Sequence, residues 1–134
     1  AGDAILKSVS GVLRQTVRVA DVACRYGGEE FVIILPGATA TSAKQLAERL
    51  HHELSMLSFD LWQNKSALTA SIGLTCFDGT RTAGICELIG EADSALYQAK
   101  NNGRNRTESF LPTTPQLPLI FDYDSPVIAS IQSF

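Results

Sequence analysis

Apolar residues recur at helical spacing from the first positions of the chain. Ile5, Leu6, Val9, Val12, Leu13 and Val17 share one stripe, which predicts an amphipathic helix with Asp3 as its cap. Two compact apolar runs follow, Val22 to Tyr26 and Phe31 to Leu35, on either side of Gly27-Gly28-Glu29-Glu30. They read as a β-hairpin, since glycine tolerates the positive φ of tight turns, and Pro36-Gly37 ends the second strand. A second helix is predicted from Thr41 to Leu57, with Ala43, Leu46, Ala47, Leu50, Leu54 and Leu57 on its apolar face. Ser58 to Ser66 reads as a short strand and a turn around Asn64-Lys65. Leu68 to Phe77 alternates, with Leu68, Ala70, Ile72, Leu74 and Cys76 on one side, which predicts a strand with one face in the core. A third helix carries Ile85, Leu88, Ile89, Ala92, Ala95, Leu96 and Ala99, and Gly103 closes it.

Beyond Glu108 the pattern fades. Four of the 5 prolines fall in Leu111 to Phe134, a stretch without Lys or Arg. Residues 117–123 are apolar enough to dock but keep no period. The division is therefore a domain over 1–106 and a proline-containing tail of unassigned role over 107–134.

The 134 residues, 45% hydrophobic and 19% charged, are enough for one core. With 11 basic against 14 acidic residues the net charge is −3, which argues against a general nucleic-acid binder. Apolar runs such as Phe31 to Leu35 are far shorter than the roughly 20 residues needed to span a bilayer, so no membrane contact is expected of this segment. The 3 cysteines, Cys24, Cys76 and Cys86, are widely spaced and outside any C-x-x-C arrangement. They suggest neither a disulfide framework nor a zinc site, but small buried hydrophobes in a reducing, cytoplasmic setting. The chain opens Ala1-Gly2-Asp3 without a signal-peptide pattern, and its one methionine is Met56. The start reads as a cut within a longer protein.

The densest chemistry lies in Arg18-Val-Ala-Asp21 and Arg25-Tyr26-Gly27-Gly28-Glu29-Glu30-Phe31. Two glycines at a hairpin tip let a bulky ligand lie against backbone, and two carboxylates beside them suit a divalent cation and a phosphate substrate. On its own, such a tip is most often a solvated acidic turn. Lys100 and Arg104, four apart, share a face at the end of the last helix, where cations also complement the helix dipole. Arg18 and Asp21 alone would be a surface ion pair. His51 and His52 diverge on a helix and read as surface residues.

Arg25-Tyr-Gly-Gly-Glu-Glu-Phe31 resembles the signature of GGDEF domains, the diguanylate cyclases, in a Glu-containing variant. Gly2-Asp3 with Ile5-Leu6, Thr69-Ala-Ser71-Ile72-Gly73, and Ala92 to Asn105 resemble further motifs of that family in the same order. The resemblance covers 1–106. It implies an α/β (α+β) fold with an antiparallel-centred sheet, like the palm of nucleotide cyclases and polymerases. It also implies condensation of two GTP into cyclic di-GMP, with Mg²⁺ or Mn²⁺, by a homodimer. By the same resemblance Glu29 is a metal ligand and catalytic base, and Glu30 supports it. Asp3 and Leu6 hold guanine, Gly27 and Gly28 leave room for the nucleotide, and Lys100 and Arg104 meet the triphosphate. Arg18, Asp21 and Arg49 resemble the inhibitory site that takes cyclic di-GMP. Arg25 matches the signature without an assigned role.

The family's opening strand, with its metal-binding Asp, and the following segment with a guanine-binding Asn have no counterpart before Ala1. The chain is thus expected to be an N-terminally truncated domain, inactive and poorly stable alone, with apolar neighbours of the missing strand uncovered. A sensor module, and a membrane tether for the whole protein, would lie upstream. The alternatives are a catalytically idle cyclic di-GMP receptor, or a GTP-sensing domain that regulates a partner such as a phosphodiesterase module. The acidic pair favours the enzyme.

Overall fold

The computed structural model describes residues 2–61, 64–77, 84–110 and 126–133. Helix α1 (Gly2–Thr16) leads into strands β1 (Val22–Gly27) and β2 (Glu30–Pro36), then α2 (Ala40–Ser55). A small hairpin, β3 (Ser58–Leu61) and β4 (Asn64–Ala67), precedes β5 (Ala70–Cys76), α3 (Ile85–Asn101), β6 (Arg106–Ser109) and β7 (Pro126–Ser133). The main sheet runs β1-β2-β7-β5-β6. Its pairings are antiparallel except β5 with β6, so the antiparallel-centred α/β architecture expected from the sequence is the one found.

Alternation along β2 sorts the core. Phe31, Ile33 and Leu35 join the α1 and α2 side with Val9, Leu13, Leu50 and Leu54, while Val32 packs with Leu88 and Ala92 of α3 on the other. Each helix meets the sheet through the apolar stripe its sequence predicts. Helix α1 begins at Gly2, so Asp3 lies inside its first turn and is not its cap. The cap of α2 is Thr39, whose side chain accepts from Ser42 N while Ser42 Oγ accepts from Thr39 N, satisfying two free amides. Gly103 takes φ +117°, and Arg104 N–H donates to Ala99 O at 2.9 Å, the six-to-one bond that stops α3.

Several expectations change. Strand β5 is buried on both faces up to Thr75, because α3 covers the side that carries Ser71, Gly73 and Thr75. The polar residues there are partnered: Thr75 Oγ1 donates to Glu91 Oε1 at 2.7 Å. Asn64 and Lys65 belong to β4 and not to a turn. Cys24, Cys76 and Cys86 are exposed thiols, since β1 is an edge strand, Cys76 ends its strand and Cys86 opens a helix. The neighbours expected to be uncovered, β2 and β5, are not, because β7 lies between them and pairs with both along its length. The apolar stretch 117–123 lies outside the described residues.

At Gly73 a Cβ atom would run into Ala92 O and Leu96 N of α3. Backbone atoms inside a helix cannot turn aside as a side chain can, so Gly73→Ala must push α3 off the sheet. The expected cost is about 3 kcal/mol, a fall in melting temperature of roughly 10 °C. A calorimetric scan of the variant checks this, and an unchanged midpoint would mean that α3 does not sit where it is described.

Candidate functional site

The register places the sequence motifs along one edge of the sheet. Gly27 pairs with Glu30, Glu30 with Gln132, Gln132 with Ser71, and Ser71 with Arg106. This row crosses all five strands at the hairpin-tip end. Lys100, in the last turn of α3, and Arg104, just past its end, precede Arg106 by a few residues and therefore stand at that same end. Three strand spacings, about 14 Å, separate Glu30 from Arg106, within range of a nucleoside triphosphate and its metal. Helix α3 and the tight turn after Gly103 deliver the cations, and the β1–β2 hairpin delivers the carboxylates.

The two tip glycines do not take the positive φ expected of them; the described glycines that do are Gly37 and Gly103. Nor does packing require them. A Cβ at Gly28 would meet nothing within 4 Å, and one at Gly27 only Glu30 Oε2 at 3.9 Å. Gly27 and Gly28 are thus bare positions that neither a positive φ nor packing requires. Glu29 is exposed and Glu30 half-buried. Neither carboxylate makes an ion pair or hydrogen bond with a described residue.

Two adjacent hard-oxygen donors suit Mg²⁺ or Mn²⁺, which is commonly held by one or two carboxylates together with substrate phosphates. Among the described residues there is no cluster of three or more His, Cys, Asp or Glu that could hold a metal by itself. Strand β7, next to Glu30, reads Pro-Val-Ile-Ala-Ser-Ile-Gln-Ser and adds no carboxylate. The donor set fits a cation shared with substrate and not a closed protein cage. Leu6 lines a cleft of about 350 Å³ with Lys7, Ser10, Arg14 and Arg25, and a neighbouring cleft of about 320 Å³ continues along Arg14, Val17, Asp21 and Ala23. Asp3 opens the same helix that carries Leu6.

Arg18, Asp21 and Arg49 come together at the opposite end of the hairpin. They line one cleft of about 230 Å³ with Thr16, Ser42, Gln45 and Leu46. Arg18 Nη2 donates to Asp21 Oδ1 at 2.7 Å and to Pro36 O at 2.8 Å, and Arg18 N–H donates to Asp21 Oδ2 at 2.7 Å. The guanidinium covers the Asp21 side chain entirely, and this hydrogen bonding pushes the Arg18 pKa up from its already high value. The pair is therefore an organised clamp on the β2 end, not two loose surface charges. Among the described residues, Arg18 Nη1 and the Arg49 fork have no hydrogen-bond or ion-pair partner. Glu30 and Pro36 bound β2, about 20 Å apart along the strand, and Asp21 lines both this cleft and the neighbouring one that reaches Arg25.

His51 is not the surface residue its sequence neighbourhood suggested. It is half-buried, its Nε2 lies 2.9 Å from Thr107 Oγ1 of β6, and its Nδ1 is buried without a partner. Contact across 56 positions leaves no trace in local sequence. His52, one step round the helix, is exposed.

Compared with known proteins, residues 1–106 match the family described as "Diguanylate cyclase, GGDEF domain". Diguanylate cyclase DgcP of Pseudomonas aeruginosa is 41% identical over 109 residues, 81% of this chain and 16% of that protein. Response regulator PleD of Caulobacter vibrioides is 38% identical over 106 residues, 78% of this chain and 23% of that protein. The chain thus spans less than a quarter of either relative. Among solved structures, the GGDEF domain of DgcB from Caulobacter crescentus in complex with c-di-GMP superposes with a TM-score of 0.71 at 28% identity, covering 80% of this chain and 63% of that one. Diguanylate cyclase SiaD of Pseudomonas aeruginosa, in complex with its activator SiaC, gives 0.71 at 28% identity, covering 80% and 40%.

Burial pushes the His51 imidazole below the usual histidine value of 6.5, against the opposing charge of Glu48. The unfolded chain then binds more protons than the folded one below about pH 6.5, so His51 lowers stability as pH falls through that region. Wild type is expected to lose melting temperature more steeply than His51→Gln between about pH 7 and pH 5. Parallel curves from thermal scans across that range would contradict it.

Proposed function

The chain belongs to the GGDEF family of diguanylate cyclases, and from that premise we propose that residues 1–106 supply the GTP-binding and cyclase half-site of a cyclic di-GMP synthase. The observation that carries this reading is the row at one sheet end, with Gly27 and Glu30 near its start and Arg106, Arg104 and Lys100 at its far end. It offers carboxylates, bare backbone and cations across a span that fits one nucleoside triphosphate.

In the reaction, Asp3 and Leu6 hold the guanine base. Gly27 and Gly28 let the phosphates approach the backbone, and Lys100 and Arg104 offset charge as pyrophosphate departs. Glu29 draws the proton from a ribose 3′-hydroxyl. The oxygen bonds to the α-phosphorus of the GTP held by a facing domain while the bond to pyrophosphate breaks. Two such transfers close the ring and release two pyrophosphates. Mg²⁺ or Mn²⁺, held by Glu29 with Glu30 in support, would supply charge stabilisation at the phosphates. The work of the protein is chiefly positioning, which is why a homodimer is required.

A second reading is favoured by the sequence of β7. The register partner of Glu30 on that strand is Gln132, and no Asp or Glu lies in Pro126–Ser133. Residues 1–134 alone therefore bind nucleotide without turning it over. A GTP-sensing or receptor role then belongs to this form of the chain.

In any form of the protein that makes cyclic di-GMP, Glu29→Ala is expected to lower synthesis by about 100-fold or more, with a smaller loss of GTP binding. Product quantified by chromatography checks it, and undiminished synthesis would overturn the catalytic assignment. The Arg18, Asp21 and Arg49 cleft takes cyclic di-GMP as an inhibitor. Arg18→Ala should weaken that binding by about 1.5–3 kcal/mol, the scale of a charge-assisted hydrogen bond. Calorimetry on wild type and variant decides it, equal affinities meaning that the clamp is only structural.

A further inference from the structure

Arg25 stands in β1 opposite Phe31, just before the irregularity that ends the ladder at Gly27. Its Nε donates to Gly28 O at 2.9 Å and its Nη2 to the same oxygen at 2.6 Å. Both contacts come from one planar, permanently charged fork. No other described side chain holds the tip. A Cβ at Gly28 would meet nothing within 4 Å and one at Gly27 only Glu30 Oε2, and Glu29 makes no hydrogen bond or ion pair through its side chain with a described residue.

The turn itself is Gly28-Glu29, closed by the Gly27–Glu30 pair, and without such a hold its glycine has more accessible backbone states than any other residue would have there. Fixing one carbonyl removes most of that freedom. A trans peptide keeps C=O and N–H antiparallel in one plane. With Gly28 C=O turned back toward Arg25, the Glu29 N–H faces the other way. The peptide that precedes both carboxylates is thereby set.

We propose that Arg25 is a positioning residue of the nucleotide site: its fork clamps Gly28 O and so fixes the Gly28–Glu29 peptide, which aims the Glu29 carboxylate at the cation accompanying the substrate phosphates. The proposal rests on the cyclase reading of the same tip. It gives the arginine of the Arg-Tyr-Gly-Gly-Glu-Glu run a mechanical role rather than a contact with ligand. The bidentate hold explains why arginine stands here. Lysine keeps the charge but presents a single point of donation, and cannot hold the carbonyl in one plane.

The test uses the whole 134-residue chain with Mn²⁺ and GTP as the probe. Arg25→Lys is compared with wild type by thermal melting, by ¹⁵N relaxation of the Gly28 and Glu29 amides, and by electron paramagnetic resonance of Mn²⁺ in the presence of GTP. The expected result is an unchanged melting temperature, loss of order at both amides, and Mn²⁺ affinity reduced about tenfold. Free ethylguanidinium should restore part of that affinity to Arg25→Ala, which a merely structural role would not allow. Equal Mn²⁺ affinity in wild type and Arg25→Lys overturns the role of Arg25 and leaves the cyclase reading standing. Absence of Mn²⁺–GTP binding in wild type overturns both.

Discussion

At Gly73 the backbone of α3 lies directly on the backbone of β5, with no room for even a methyl group between them. Much else follows from that approach. It brings the small residues Ala92, Ala95 and Ala99 of the helix into burial against the sheet, and the Thr75–Glu91 hydrogen bond holds the helix nearby. A helix fixed so closely at Ala92 and Leu96 has little freedom to slide, so the position of its C-terminal end is set by a glycine packed one to three turns before it. Lys100 and Arg104 reach the site edge for that reason. The Thr-x-Ser-Ile-Gly strand carries no functional side chain in this account; its contribution to chemistry is the absence of one.

The second constraint is the central strand. Strands β2 and β5 do not pair with each other, and within the main sheet β7 joins the hairpin half, which bears the carboxylates, to the half that bears α3 and its cations. A strand hydrogen-bonded on both sides has its N–H and C=O groups committed to neighbours along its whole length, so exchanging it requires both ladders to open together. Its chemical content also matters. Any extended apolar segment could complete the ladders, and the residue in register with Glu30 is then whatever that segment carries. In β7 that position is Gln132.

These two constraints also mark how far the sequence could be read. The periodic segments were legible because their partners are implied by their own pattern: Val9 and Leu13 on a helical stripe, Phe31 to Leu35 as a continuous run, Ile72 and Leu74 in alternation. Burial of both faces of β5 was hidden, since Thr75 and Ser71 look solvent-facing until α3 covers them. Strand β7 was hidden more deeply. Pro126 to Ser133 keeps no clear period, and its pairing is with residues about 95 and 55 positions back in the chain. The exposure of Cys24 reflects its place on an edge strand, which composition cannot reveal. At the site, the motifs named the right residues for one edge. They did not say that the tip glycines would be free of both φ and packing demands, nor that Arg25 would reach Gly28.

The Arg18 cleft lies at the Pro36 end of β2, whose carbonyl Arg18 holds, and the glycine tip lies at the Glu30 end. Those two ends stand about 20 Å apart along the strand, although Asp21 lines both the Arg18 cleft and the one that reaches Arg25. Transmission along the strand would need an element with two alternative arrangements, and β2 is poorly suited to be one. It is paired on both sides, its inward residues are buried in both core clusters, and Arg18 already fixes its end without any ligand. On the proposed inhibitory reading, occupancy of the cleft would therefore act outside the domain, by tying it to a neighbouring surface through the Arg49 fork and the Arg18 donor, which no described residue occupies. On the proposed reading, in which two domains face each other with their tips aligned, a tether at the far end of the hairpin would prevent the reaction while both nucleotide sites stay open. Inhibition of that kind lowers the rate without competing for substrate, and a rigid β2 is what keeps the two effects separate.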